Sequence, residues 1–446
     1  MLAGERFAAH VVGARFRDLP AAAVAAAKIF ILDTLGVGVA GSTAGGAEAL
    51  LRGASGWGAG AEAAVWGRRE RVPAGSAALV NGFQVHCQEY DCVHEGAVLH
   101  PMATLLPAAL GWAERHGGVS GEALLMAVAV GVDVSTGLGV AAKAGLRFFR
   151  PATSGGFGAV AAVARLAGLD EAGVLAAMGL QYAQASGTMQ AHVEGSVSLP
   201  MQVGFNSRAA ICAADLAGAG LTGARDLFEG PFGYLPLFEG EWDLAPVLAG
   251  LGTVWRVGEL SHKPYPAGRA THGAIEAVLA LRPAVDDVAE IVLEGPPVLA
   301  RLCGRAPFAG MSATHARLST AFAVANVLRH GVVDLAQYRG AALHDAEVIR
   351  LAGLVRVVVS EVTDPNALGP QRVTVRMKDG GVLEWGCEVM LANPARPLTR
   401  EQYLTKFHRC WSFAHEGLGP ADALVEMVDR LESLPDVRAM SALLQP

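Results

Sequence analysis

From its first residues to about residue 260 the chain is a succession of long Ala/Leu/Val segments broken by Gly, Pro and Asp, as in AAAVAAAKIFILDTLGVGVAG and NSRAAICAADLAGAGLTG. Apolar runs of this length are too long for strands and read as helices. Leu221-Thr222-Gly223 supplies a helix stop and start, with glycine taking the terminating left-handed conformation. Around Pro264 the texture changes. A helical segment, THGAIEAVLAL, is followed by short β-branched runs, VAEIVLEG, VRVVVSEV and QRVTVRMKDGGVLEWGCEV, the last with Asp379-Gly380-Gly381 at a hairpin turn. Beyond residue 393, PARPLTREQYLTKFHRCW and ADALVEMVDRLESL return to helical spacing. The simplest architecture is mainly α: a large, discontinuous all-helical domain, residues 1–264 plus 394–446, with a smaller α+β domain, 265–393, inserted.

A hydrophobic fraction of 52% against 17% charged over 446 residues demands large packed cores and is enough for two or three domains. Aromatics are only 6%, while Ala and Gly abound, which favours close helix packing. A formal charge of -7 with no Lys/Arg-rich run leaves no footprint for nucleic acid. The most apolar window, EALLMAVAVGVDVSTGLGVAA, carries Asp133 near its middle and Glu122 at its start, so it reads as a buried helix rather than a membrane span. The start lacks the basic residues and apolar run of a signal peptide, and six scattered cysteines form no CxxC pair. A reducing cytoplasm is the expected location.

Three stretches could carry chemistry. EYDCVHEGAVLHP, residues 89–101, gathers Glu89, Asp91, Cys92, His94, Glu95 and His100 on a loop that a helix starting at Pro101 would follow. Carboxylates and imidazoles there are costly to desolvate without partners or a ligand. They could cap backbone amides or move protons; a metal set drawn from His86, Cys87, Glu89, Cys92 and His94 has no recognised ligand spacing. In FFRPATSGGFGAV, residues 148–160, Thr153 and Ser154 precede a helical run whose free N–H groups could face an anion, and Arg150 adds a fork suited to a carboxylate. The plain alternative is an ordinary helix entry with Arg150 in water. In HKPYPAGRATHGAIEA, residues 262–277, two prolines set Lys263, Arg269 and His272 at the seam between domains, where small ligands bind, unless the segment is only a stiff linker. Neither G-x-G-x-x-G nor a P-loop is present.

These stretches occur in a recognisable order with ILDTLGVGVAGS, AGLTGARDLFEG, ATHARLSTAFAVANVL and NPARPLTREQYLTKF. In that order they resemble the MmgE/PrpD family, which includes 2-methylcitrate dehydratases, cis-aconitate decarboxylases and iminodisuccinate epimerase. The resemblance implies a helical domain with an α+β lid, an active site between them that uses no cofactor and no metal, a small polycarboxylate substrate, and a homodimer. It also implies roles. His100 matches the family's H-P and is the first candidate for the proton carrier, with Asp91 and His94 competing and His272 on the opposite face. Lys263 and Arg150 would stabilise a dianionic intermediate, and Glu89, Thr153, Ser154 and Arg269 would complete substrate binding. The chain departs from the family pattern at several positions. Arg150 stands where His is common, Ser198 and Leu199 lie where a Lys is expected, Gly268 replaces Cys or His, and Phe322 a frequent Tyr. Guanidinium stays protonated, so Arg150 cannot carry a proton. A lyase is the first expectation, an epimerase of a dicarboxylate the second, and a non-catalytic carboxylate-binding protein the third.

Overall fold

The computed structural model describes residues 1–414 and 416–446. Its body is built on α1 (Ala21–Gly41), α2 (Ala74–His86), α3 (Pro101–His116), α4 (Gly121–Ala141), α5 (Arg150–Leu166) and α6 (Ser198–Gly218). Two of these, α1 and α4, are long and apolar enough to cross a membrane, yet 67% and 89% of their apolar windows are buried inside the protein. They are core helices. The interior carboxylate of α4 shows how: Asp133 accepts from the Arg256 backbone N–H at 2.8 Å and faces His10 Nε2 at 3.0 Å, so its charge is met without water.

Glycine sets how closely the helices approach. A Cβ on Gly158 of α5 would lie 2.4 Å from the Gly131 carbonyl oxygen of α4, and one on Gly204 of α6 would lie 2.2 Å from the Leu79 carbonyl oxygen of α2. The Ala/Gly richness of the sequence is spent here, on backbones packed nearly in contact, where side-chain dispersion contacts are dense.

After Pro264 comes α7 (His272–Leu281) and a four-stranded sheet: β1 (Val288–Gly295), β2 (Val355–Val359), β3 (Gln371–Met377) and β4 (Val382–Cys387), in the order β2-β1-β3-β4. β1 and β2 run parallel and the other pairs antiparallel. Period-2 alternation turns Ile291, Leu293, Val373 and Val375 inward, all 0% exposed. The β3–β4 hairpin turns through Asp379-Gly380-Gly381 with Gly380 at φ +91°, as its sequence requires. α8 (Arg400–Ser412) then returns to the helical body, where Lys406 meets Asp33 of α1 at 2.6 Å and the Phe407 ring covers Gly36.

The mainly α fold is therefore as expected, with two local differences. α6 ends at Gly218, a positive φ at Gly220 makes the turn, and the next helical turn begins only at Leu235, so 221–223 is not a boundary between helices. α5 begins at Arg150, because Pro151 fits its first turn; Thr153 and Ser154 consequently lie inside the helix and not before it.

Candidate active site

The acidic loop runs from the end of α2 to His100, the residue that precedes Pro101 and the first turn of α3. It is held from both sides. Val93 exchanges backbone hydrogen bonds with Ser261, and His94 with Leu99. Beneath it, the Lys406 ammonium donates to the Tyr90 carbonyl at 2.7 Å, and the Tyr90 hydroxyl donates to the Pro264 carbonyl. Glu89 and Val98 are forced to φ +49° and +48°, a left-handed conformation that non-glycine residues hold only when surroundings impose it. The loop is thus built to aim its side chains.

They aim into a cavity of about 60 Å³ between the helical body and the segment after Pro264. His86, Glu89, His100, His192 and Arg269 supply its polar wall; the rest is apolar, including Phe149, Met189, Leu302, Leu318 and Leu368. Gly268 borders it beside Cys303, whose thiol burial pushes up to about 12 and so keeps un-ionised.

One carboxylate organises the polar wall. Asp91 Oδ2 lies 2.9 Å from His86 Nδ1 and 3.1 Å from His100 Nδ1, the latter off the hydrogen-bonding direction. The two rings meet edge to face with centroids 5.0 Å apart. Burial opposes charge on Asp91, but the two imidazoles outweigh it and hold its carboxyl well below the ordinary range. The imidazoles then part company. Burial pulls His86 down, and Asp91 and Glu89 more than reverse it, so its pKa is raised above the ordinary 6.5. For His100 burial prevails over Asp91, with Lys263 acting in the same sense, and its pKa is lowered. His86 also ends α2, where the carbonyl end of the helix favours a cation. Two neighbouring titratable groups pushed in opposite directions suit the parts of an acid and a base.

Next to them Lys263 Nζ donates to the Glu89 carboxylate at 2.8 Å and to the Glu89 carbonyl at 3.1 Å, and stands 4.0 Å from Asp91 Oδ1. Burial works against the charged form of Glu89, while Lys263, His86 and His100 bring it down to about 2. Glu89 is therefore an ion at neutral pH and no proton acceptor. The donor atoms of His86, Asp91 and His100 lie within 4.8 Å of one another, a set that could ligate a divalent ion. The Lys263 ammonium beside Asp91 opposes a second cation there, and both imidazoles already turn Nδ1 to the same carboxylate oxygen. The donor set fits proton exchange better than coordination.

Comparison with known proteins gives the same frame. Residues 5–246 match the MmgE/PrpD N-terminal domain and residues 265–432 the MmgE/PrpD C-terminal domain. The chain belongs to the MmgE/PrpD family. Among its relatives, the cis-aconitate decarboxylase-like protein oryM of Aspergillus oryzae is 30% identical over 395 residues, covering 82% of each chain. The human cis-aconitate decarboxylase is 25% identical over 459 residues, covering 99% of this chain and 94% of that one. That of Aspergillus terreus is 25% identical over 439 residues, covering 87% and 85%.

Within this MmgE/PrpD framework the residues singled out from sequence divide into two groups. His100, Glu89 and Arg269 line the cavity, with Asp91 and Lys263 buried behind them; Glu95 Oε1 accepts from Arg269 Nε and Nη2 at 3.0 and 2.8 Å. The others are engaged elsewhere. His94 turns Nε2 to Glu259 at 3.0 Å and accepts the Ala97 N–H at Nδ1, a clamp on the loop with no nitrogen free for substrate. His272 contacts the Ala267 carbonyl through Nε2 at 3.1 Å and Arg269 through Nδ1 at 3.3 Å, and burial, with Arg269 and Lys263, holds its pKa well below 6.5. It cannot serve as an acid on an opposite face.

Arg150 is neither in water nor at the cavity. Its guanidinium is spent on Glu239 at 2.9 Å, the Ala97 and Ala144 carbonyls and Asn366, so it is a buried strut. Ser154 Oγ donates to the Ser135 carbonyl and Thr153 Oγ1 meets the Tyr234 hydroxyl, both inside α5 packing. Sequence reading missed two cavity residues as proton or substrate partners, His86 and His192. His86, three residues before Glu89, reads from the sequence only as a metal ligand; nothing local marks His192.

Proposed function

We propose that this protein is a lyase acting on a small carboxylic acid of the di- or tricarboxylate type, with His100 and His86 moving the proton. The observation that carries the reading is the placement of the His86 and His100 imidazoles 2.9 and 3.1 Å from one buried Asp91 oxygen at the cavity wall, in surroundings that displace them in opposite directions. In an elimination, neutral His100 removes a proton next to a carboxylate, the leaving hydroxide takes a proton from the His86 imidazolium and departs as water, and a carbon–carbon double bond forms. In a decarboxylation, the C–C bond breaks to release carbon dioxide, its electron pair stays on carbon, and His86 delivers the proton there. Elimination uses both imidazoles, one to accept and the other to donate, whereas decarboxylation uses the donor alone; Asp91 steadies whichever is charged. The relatives named as cis-aconitate decarboxylases support the lyase class and make decarboxylation the first of the two.

Epimerisation would call for proton carriers on two faces of the substrate. His86 and His100 sit around one carboxylate oxygen, and His272 is spent on the Ala267 carbonyl and Arg269. Loss of a group with the proton handled on one side is the better match. The test is proton NMR of cis-aconitate, 2-methylcitrate and aspartate-like diacids incubated with the protein in heavy water. New vinyl signals, or loss of substrate with deuterium entering the product, support the lyase; deuterium uptake into an intact skeleton would replace it with an epimerase.

A further inference from the structure

His192 is 5% exposed, lies on the short turn Gln190–Glu194 and lines the cavity together with His86, Glu89 and His100. It comes from the helical body, but its partner comes from the other side of the seam. Arg305 donates from Nη2 to His192 Nδ1 at 3.0 Å. A guanidinium can only donate, so Nδ1 is the acceptor and the ring carries its proton on Nε2. No protein group among the described residues pairs with that Nε2. Burial, reinforced by Arg305, lowers the His192 pKa to about 4, which keeps the ring a neutral donor across the working range.

Arg305 itself has no carboxylate partner among the described residues, and its Nη1 is a buried nitrogen without a hydrogen bond. The nearby cations are matched by acids, Arg269 of the cavity wall by Glu95 and Lys263 behind it by Glu89. The pair is also firmly mounted. Ser319 Oγ donates to the Arg305 carbonyl at 2.7 Å, and Ser312 Oγ donates to the carbonyl of Gly195, just past the His192 turn, at 2.6 Å. Gly195 sits at φ +64° with its Cα against His315, where a Cβ would come within 2.7 Å of the His315 Cβ. An uncompensated guanidinium behind a neutral N–H donor, both held rigidly, is an arrangement that takes an anion.

We propose that His192 and Arg305 form the carboxylate-holding end of the cavity, and that the small, largely apolar remainder selects a dicarboxylate over a tricarboxylate. The proposal rests on the acid-handling function above for the kind of molecule bound, not for the reaction it undergoes. His192 binds the acid directly; Arg305 positions its tautomer and supplies the charge. Lys263 and Arg269 are already matched by acids, so beyond the His192 end and the His86–His100 pair the cavity offers a further carboxylate no free cation, and burying it unpaired is costly.

Isothermal titration of itaconate and cis-aconitate, as the two- and three-carboxylate probes, tests this on wild type, Arg305→Gln, Arg305→Lys and His192→Phe, with far-UV circular dichroism checking the fold. The diacid should bind more tightly to wild type. Its affinity should fall about tenfold or more in Arg305→Gln and His192→Phe, and less in Arg305→Lys, which keeps charge but not the fork. Should a substitution prevent folding, His192→Gln, which retains an N–H donor, should keep most of the affinity. Tighter binding of the triacid, unaltered diacid affinity in Arg305→Gln, or no binding of either probe to wild type overturns the proposal. Arg305-dependent binding with no turnover would instead remove the lyase and leave this assignment standing.

Discussion

His86 and His100 turn their Nδ1 atoms to one oxygen of Asp91, at 2.9 and 3.1 Å, from opposite ends of the same loop. One closes α2 and the other introduces α3. The chain therefore brings a proton-rich and a proton-poor imidazole together by fixing two helix ends and the short excursion between them, which Ser261, Pro264 and Lys406 hold from a distance. What differs is their surroundings: Glu89 stands 3.6 Å from His86 Nε2 and favours its charge, while burial decides His100.

For an elimination, His100→Asn should keep the fold and lower turnover about 10²-fold or more, the usual worth of a general base. The wild-type pH profile should be a bell spanning 6.5, the ordinary value for both groups. The base must be neutral, so the acidic limb reports a pKa below 6.5. The acid must be protonated, so the alkaline limb reports one above it. Because the two groups share Asp91, both limbs belong to the cluster, and Asp91→Asn should shift both limbs to lower pH, since Asp91 raises the pKa of each imidazole. A single-limbed profile measured on wild type with saturating substrate would contradict the pairing.

Lys263→Met should destabilise by about 3–5 kcal/mol, since it strands the buried Glu89 carboxylate. Glu89 titrates at about 2 in the fold against an ordinary 4.5, so its contribution is fully present above pH 4.5 and disappears as pH falls toward 2. That contribution is on the order of 3 kcal/mol. Urea unfolding at several pH values checks it: Glu89→Gln should be less stable at neutral pH and should lose less further stability than wild type between pH 4.5 and pH 2.

How far the sequence carried this reading depends on what each residue needed from a distance. The helices, the β-branched strands and the Gly380 hairpin are local patterns and were legible. The loop with Asp91 and His100 was legible because polar residues crowded an apolar chain. Arg150 was misread because its partner Glu239 lies 89 residues away, and nothing near Arg150 announces a buried ion pair. His94 is misread for the same reason, its Nε2 being consumed by Glu259, whereas the partners of His272, the Ala267 carbonyl and Arg269, are local but depend on how the turn before α7 folds. His192 was invisible, since its place at the cavity depends on Arg305 across the seam.

The Arg150 correction is testable by separating stability from binding. Arg150→Lys keeps the charge but cannot serve Glu239, Ala97, Asn366 and Ala144 at once. It should lower the midpoint of thermal unfolding, by an amount equivalent to about 2–4 kcal/mol, with the KM of the folded fraction unchanged. A raised KM at unaltered stability would restore Arg150 as a substrate ligand.

Gly268 offers a steric test of the cavity wall. Its φ of -52° suits any residue, so only space constrains the position. A Cβ there would lie 2.5 Å from Cys303 Sγ and 3.2 Å from a Leu318 methyl. Cys303 is 1% exposed and cannot swing into water. Gly268→Ala should therefore push the sulfur, costing about 1–3 kcal/mol as overpacking does, and should weaken binding of small acids by displacing the wall that Cys303 and Leu318 form. Cys303→Ala removes the atom in the way. Adding it to Gly268→Ala should recover much of the lost stability, giving a coupling energy that chemical denaturation of the two single variants and the double variant measures directly. Simple additivity in that cycle would mean that the wall yields freely and that Gly268 is not held small by Cys303.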